Sequence, residues 1–250
     1  MVVVRQFEKP DLFVTVTTNP KCKEIQDELL PGLTSSDRPD IVTRVFKMKL
    51  NALLDDITKN GIFRKVAAFV YVDHWKPRNS SDYDKFVSAE IPDPALFPEP
   101  HATVTICMIH GPCGRGIKSP CTGEDGVHVC SKRFPKAFFY ETRVDSDGYP
   151  LYRRRRPGPL DPYNEEGPHR PTSTRMVSRQ IHHINATRTR STVQVDNRRV
   201  VPYNPYLCQK YNCHVNVEVC STVQSVKHLY KYVYKGQGRT TVVLREARLH

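Results

Sequence analysis

Three cysteines and a histidine lie close together in HGPCGRGIKSPCTGEDGVHVCSKRFPK, the stretch from His110 to Lys136. They are His110, Cys113, Cys121 and Cys130. Thiolate sulfur and imidazole nitrogen are the ligands that tetrahedral zinc takes in structural sites. The linkers are rich in Gly, Pro and Lys, so they can bend around one ion, and no apolar run inside the segment would hold it otherwise. A zinc site on these four residues is therefore expected, with His128 able to stand in for His110 or Cys130.

The second chemistry is electrostatic. Lys and Arg number 38 against 26 Asp and Glu, a formal net charge of +12. A balance of this sign favours a polyanion, and the clustering of the charge points to nucleic acid. Arg153, Arg154, Arg155 and Arg156 end the arm of an expected hairpin, with Tyr149 and Tyr152 available to stack on bases. Lys227, Lys231 and Lys235 recur at i, i+4 and i+8, which would make one cationic stripe on a helix. The expected partner is DNA, single-stranded by preference. Nothing in the sequence marks a small-molecule substrate. MVVVRQFEKP is no secretory leader, and no run reaches the length of a membrane span. The eight cysteines therefore fit a reducing compartment, nuclear or cytoplasmic. Cys22, Cys107, Cys208, Cys213 and Cys220 are expected mostly as small core residues.

Elements must position these groups. DLFVTVTTNP, from Asp11 to Pro20, alternates like a strand and ends on Asn-Pro. Pro39 to Gly61 reads as a helix, with Val42, Phe46, Leu50, Leu53 and Ile57 on one face, Pro39 in the first turn and Gly61 at the exit. KVAAFVYVD, Lys65 to Asp73, reads as a buried strand. ATVTICMI, Ala102 to Ile109, looks β-like by propensity. A hairpin is expected around Asp147-Gly148. Pro157 to Arg199 reads as a polar, irregular surface segment. In HVNVEVC, Val215, Val217 and Val219 should face a core. His214, Asn216, Glu218 and Cys220 would then share the other face, read as a polar face rather than a metal site. Ser225 to Gly236 reads as a helix ending at Gly236.

On eight collinear segments the chain resembles the Helitron helicase-like, or replication initiator, domain of Helitron transposons. They are KPDLFVTVTTNP, DRPDIVTRVFKMKL, KFVSAEIPDP, MIHGPCG with SPC and CSKRFPK, DGYPLYRRR, DNRRVVPYNPYL, KYNCHVNVEVC and YKYVYKG. The resemblance implies an HUH nickase of rolling-circle transposition. Two histidines of a His-x-His strand hold a divalent metal against the scissile phosphate, and one or two tyrosines on a helix attack it. The implied fold is α+β: an antiparallel sheet with flanking helices, here with an inserted zinc-knuckle-like Cys/His loop and irregular basic segments. The expected division is 1–109 for the N-terminal part, 110–136 for the zinc loop, and 137–250 for the C-terminal part with the basic hairpin and the tyrosine helix.

The sequence departs from the family pattern where catalysis would sit. No His-x-His occurs in the chain; FVYVDHW runs directly into KPRNSSDYDKFVSAEIPDP. The tyrosine motif aligns on His228 and Tyr232, so a histidine stands at the first tyrosine position. There is no G-x-x-x-x-G-K-[ST] phosphate loop of a helicase motor. The expectation is a truncated remnant of a Helitron initiator, catalytically inactive, whose divalent-metal site for nicking is lost and which at most binds single-stranded DNA. The alternative is an active nickase using Tyr232 with a non-standard metal site.

Overall fold

The computed structural model describes residues 12–63, 66–68, 72–73, 80–113, 121, 130–156, 177–182 and 190–220. The expected helix at Ser225 to Gly236, with His228, Tyr232 and the three lysines, lies outside the described residues, as do His74 and His128.

Alternation at both ends of the described chain builds its central ribbon. Strand β1, Leu12–Thr17, pairs antiparallel with β8, His214–Val219, from Leu12 opposite Val219 to Thr17 opposite His214. A period of two puts Val14, Val16 and Leu12 on the same face as Val217, Val215 and Val219. That face closes the main core with Leu53, Ile57, Tyr83, Val87, Leu207 and Tyr211. His214, Asn216 and Glu218 take the opposite face, as the alternation predicts. Among them Asn216 Nδ2 donates to Glu218 Oε1 at 3.2 Å.

The helices follow their end signals. Helix α1, Lys23–Gln26, is one short turn. Helix α2, Pro39–Thr58, has Pro39 in its first turn and Asp40 to complement the dipole. Gly61 follows with φ at 65°, a left-handed conformation that a Cβ disfavours. Ile25 and Cys22 pack on Val45 of α2 in a small separate cluster. The last helix among the described residues, α4, Pro205–Tyr211, is capped by Asn204, whose side chain accepts from the Leu207 amide at 2.9 Å. It ends on Asn212 with φ at 43°.

Asp56 of α2 is buried although its sequence neighbours give no hint of it. It accepts hydrogen bonds from Lys210 Nζ, the Tyr211 hydroxyl and Asn60 Nδ2. Burial works to raise its pKa, but these donors together hold it below the usual carboxylate range. A depressed folded-state pKa contributes stability that is full above the unfolded value and is lost as pH falls through the folded one. Asp56→Asn is therefore expected to destabilise at neutral pH by on the order of 1 kcal/mol, and the deficit should shrink as pH falls below the ordinary carboxylate range of about 4. Urea melts at pH 7 and pH 3 check this; an equal deficit at both would show that the charge contributes nothing.

Three expectations are corrected. Most of Ala102 to Ile109 is helical: α3 spans Pro98–Cys107, and only Ile109 makes a β-bridge, with Val200. A strand would put Val104 and Ile106 on one face, yet Val104 and Met108 are buried while Ile106 is 53 % exposed, the i, i+4 pattern of a helix. Pro98 in the first turn and Glu99 beside it outweigh the β-branched propensity. Lys65 to Asp73 forms two short paired strands, β2 Val66–Ala68 and β3 Val72–Asp73, instead of one. Within Pro157 to Arg199 lie β6 Val177–His182 and β7 Arg190–Val195, paired antiparallel over their whole length, and a 3-10 turn at Asn197–Arg199. Both strands alternate in sequence, VSRQIH and RSTVQV, and Val195 is buried, but the charged residues around them hid that period. The hairpin at Asp147-Gly148 is present, between β4 Arg143–Val144 and β5 Pro150–Leu151, with Gly148 at φ 79°.

The fold is α+β, built from small antiparallel ribbons with helices around them and a Cys/His knuckle. The segment after the 3-10 turn knits it together. Ser88 and Tyr203 exchange both backbone hydrogen bonds, at 2.8 and 2.9 Å. The Val201 amide donates to Met108 O at 2.8 Å, and the Val217 amide to Pro202 O at 3.1 Å. No helix among the described residues is long and apolar enough to cross a membrane.

Candidate metal centre and adjoining basic surface

The structure brings His110, Cys113, Cys121 and Cys130 to one point, their ligand atoms all within 4.8 Å of one another. Each of the three sulfurs lies 3.4 Å from His110 Nε2. Zinc with ordinary Zn–S and Zn–N bonds in a tetrahedron would separate sulfur and nitrogen by about 3.6 Å. Cys121 and Cys130 are buried, His110 and Cys113 half-buried.

Local backbone explains how a loop without a core converges. The His110 amide donates to Arg199 O at 2.7 Å and the Lys136 amide to Arg198 O at 2.9 Å, so both ends of the loop hang on the 3-10 turn. The Ser131 amide reaches Cys121 O at 2.9 Å, tying the last two ligands. After Cys130 the chain turns back through Arg133 in a left-handed conformation, and the Arg133 amide donates to Cys130 O at 2.8 Å. The His110 ring stacks on Phe134, centroids 4.3 Å apart and 14° between planes.

The electrostatics suit a cation. Burial, helped by the charges of Arg199, Lys132 and Lys136, pushes the His110 pKa down to about 4, so the imidazole is neutral and its nitrogen free to ligate. Burial raises the Cys130 thiol, but amide donors from Phe134 and Lys132 outweigh it and leave its pKa lowered. Burial pushes Cys113 up to about 11, against the opposing effect of Arg199. Arg199 Nη1 donates to Gly111 O at 3.0 Å and lies 3.8 Å from Cys113 Sγ. Three thiolates and a neutral imidazole leave a divalent ion with one negative charge in excess, and these cations surround it. The donor set and its spacing thus fit a zinc-type ion.

The arginine run is not one surface. Arg154 is only 3 % exposed. Its Nη1 donates to Asn197 O and Val200 O, both at 2.6 Å, and more distantly to Ala89 O at 3.4 Å. Desolvation lowers its pKa to about 10, which still leaves it charged. Arg155 forks onto the Glu90 carboxylate, and Arg153 lies between Asp84 and Glu90 at 3.4 and 3.5 Å. Only Arg156 is exposed, with its guanidinium over the Phe138 ring at 5.4 Å. Tyr152 is buried and its hydroxyl accepts the Val219 amide at 2.8 Å, so it is no stacking platform; Tyr149 is 37 % exposed.

Sequence reasoning passed over Arg198, Arg199, Phe134 and Phe138, which the structure places around the metal centre. The signal was available in CSKRFPKAFFY, where aromatic and cationic residues interleave.

Among known proteins, residues 1–81 match the family model described as the Helitron helicase-like domain at the N-terminus. The N-terminal part of the chain is thus similar to the Helitron helicase-like domain, in keeping with the resemblance seen in its sequence. No curated protein matches the chain.

Proposed function

We propose that this chain is a remnant of a Helitron-type initiator that holds single-stranded DNA and no longer nicks it. The observation that carries the reading is the three-thiol, one-imidazole cluster set among Arg199, Lys132 and Lys136, in a chain of net charge +12 whose N-terminal part is Helitron-related. His110, Cys113, Cys121 and Cys130 would hold zinc, which braces the loop and takes no part in chemistry, because all four ligand positions come from the protein. DNA contacts fall to Arg156, the exposed cation of the hairpin arm, to the partly exposed Arg153, and, as the sequence reads them, to Lys227, Lys231 and Lys235.

Loss of nicking follows from the sequence. A phosphodiester is inert without charge neutralisation on its oxygens. A tyrosine hydroxyl such as that of Tyr232 is almost wholly protonated at neutral pH. With no His-x-His pair to hold a divalent metal, His228, four residues before Tyr232 in the sequence, could serve only as a base or a lone ligand.

The test uses a labelled single-stranded oligonucleotide. Binding should be micromolar or weaker, and log affinity should fall with log salt by roughly 0.7 for each phosphate contacted. With magnesium or manganese added, no covalent protein–DNA band should appear on a denaturing gel. A band that disappears in Tyr232→Phe would establish the alternative, an active nickase with a non-standard metal site. Absence of salt-sensitive binding would remove the DNA-binding reading.

A further inference from the structure

The rings of the segment after the metal centre form a continuous series with cations. His110 stacks on Phe134, and Lys136 Nζ stands 5.1 Å from the Phe134 centroid. The Lys136 amide is bonded to Arg198 O. The Arg198 guanidinium lies 4.8 Å from the centroid of Phe138, and that of Arg156 lies 5.4 Å from the same ring. Arg198 is held in place by a fork of hydrogen bonds from Nε and Nη2 to the Asp196 carboxylate, at 2.8–3.1 Å, yet its side chain remains 43 % exposed. Phe138 is half-buried and Arg156 exposed.

We infer that Phe138, Arg156 and Arg198 form a stacking site for an unpaired base of single-stranded DNA, with Lys136 on the path of the backbone toward the metal centre. The inference rests on the DNA-binding reading above and assigns it a surface. Each partner has a physical reason. A planar guanidinium offers a face on which a base can stack, and it carries charge for the adjoining phosphate. An aromatic ring beneath it fixes that plane, as does the Asp196 fork for Arg198. A fixed plane loses little freedom when a base settles on it, which favours stacking without sequence preference. Duplex DNA keeps its bases stacked internally and cannot use the site.

Exposure sets Arg156 apart from its neighbours in the arginine run. Arg154 and Arg155 spend their donors on carbonyls and on Glu90. Arg156 and Arg198 instead combine solvent exposure with an aromatic neighbour.

The experiment is fluorescence anisotropy of the full, zinc-loaded chain with a labelled oligo-dT strand and with a duplex of equal length. Phe138→Ala should weaken oligo-dT binding roughly tenfold with the salt slope nearly unchanged, and should leave duplex binding alone. Arg156→Lys keeps the charge but loses the plane, and should weaken binding severalfold. Arg44→Gln with Lys47→Gln, on the exposed side of α2, removes as much charge as two phosphate contacts need and should change little. Zinc content and circular dichroism confirm that each variant is folded. A second variant avoids truncation: Phe138→Trp in a Trp75→Phe background, which moves the chain's single tryptophan to the site, should be quenched on adding oligo-dT. If the parent chain binds oligo-dT while Phe138→Ala and Arg156→Lys bind as well as it does, or the tryptophan is not quenched, the site is wrong and the DNA-binding reading stands. If the parent chain binds no oligo-dT, both fall.

Discussion

Protein purified without added metal is expected to carry one zinc ion per chain, and the double change Cys113→Ser with Cys121→Ser should abolish it. The four ligand atoms already stand at tetrahedral spacing, with 3.4 Å from each sulfur to His110 Nε2. Around them the described loop is tied by the His110–Phe134 stack, the amide bonds to Arg198 and Arg199, the turn bonds to Cys121 O and Cys130 O, and the Arg199 bond to Gly111 O. Zinc in small knuckles supplies on the order of 10–16 kcal/mol of apparent binding energy. Stripping it should therefore cost this chain several kcal/mol, about 5 or more, and open the loop to proteases first. Because Cys113 sits at about 11 without metal, binding must displace thiol protons, and apparent affinity should fall as pH falls. Elemental analysis and a thermal melt with and without chelator decide the matter. A zinc-free protein with an unchanged melt, or zinc retained in the double variant, would refute the assignment.

The second large effect is expected at Arg154, and on stability. Arg154→Ala removes the donor that serves Asn197 O and Val200 O and leaves a void among Ala89, Asn197 and Val200. Stranding buried carbonyls and losing the stem's packing should cost about 3–5 kcal/mol. Arg154→Lys should rescue only part, since its shorter stem sets the charge back from those carbonyls and its more strongly hydrated ammonium costs more to bury. Arg153→Ala, one residue away and partly exposed, should cost under about 1 kcal/mol. Urea unfolding of the three variants separates them. Equal stability of Arg154→Ala and Arg153→Ala would mean that the buried guanidinium is not holding the 3-10 turn. Because that turn carries both ends of the metal loop, Arg154→Ala should also weaken zinc retention.

Strong local pattern made some of this legible in the sequence. Strict alternation placed Val215, Val217 and Val219 inward, Pro39 and Gly61 bounded α2, and Asp147-Gly148 marked a hairpin, because each signal acts through neighbours in the chain. Four soft or borderline ligand types at short spacing named, before any geometry, the cluster that the structure gathers. Tertiary structure decided the rest. The side of α3 that is buried depends on Val200, Tyr203 and Cys208 packed against it, residues far along the chain, so ATVTICMI could not reveal its helix by propensity. RRRR reads as four equal charges, yet contact with Ala89, Glu90, Asn197 and Val200 divides it into one buried anchor, two paired cations and one exposed side chain. Burial and pairing are properties of what a long chain brings together, and a run of identical residues carries no record of that.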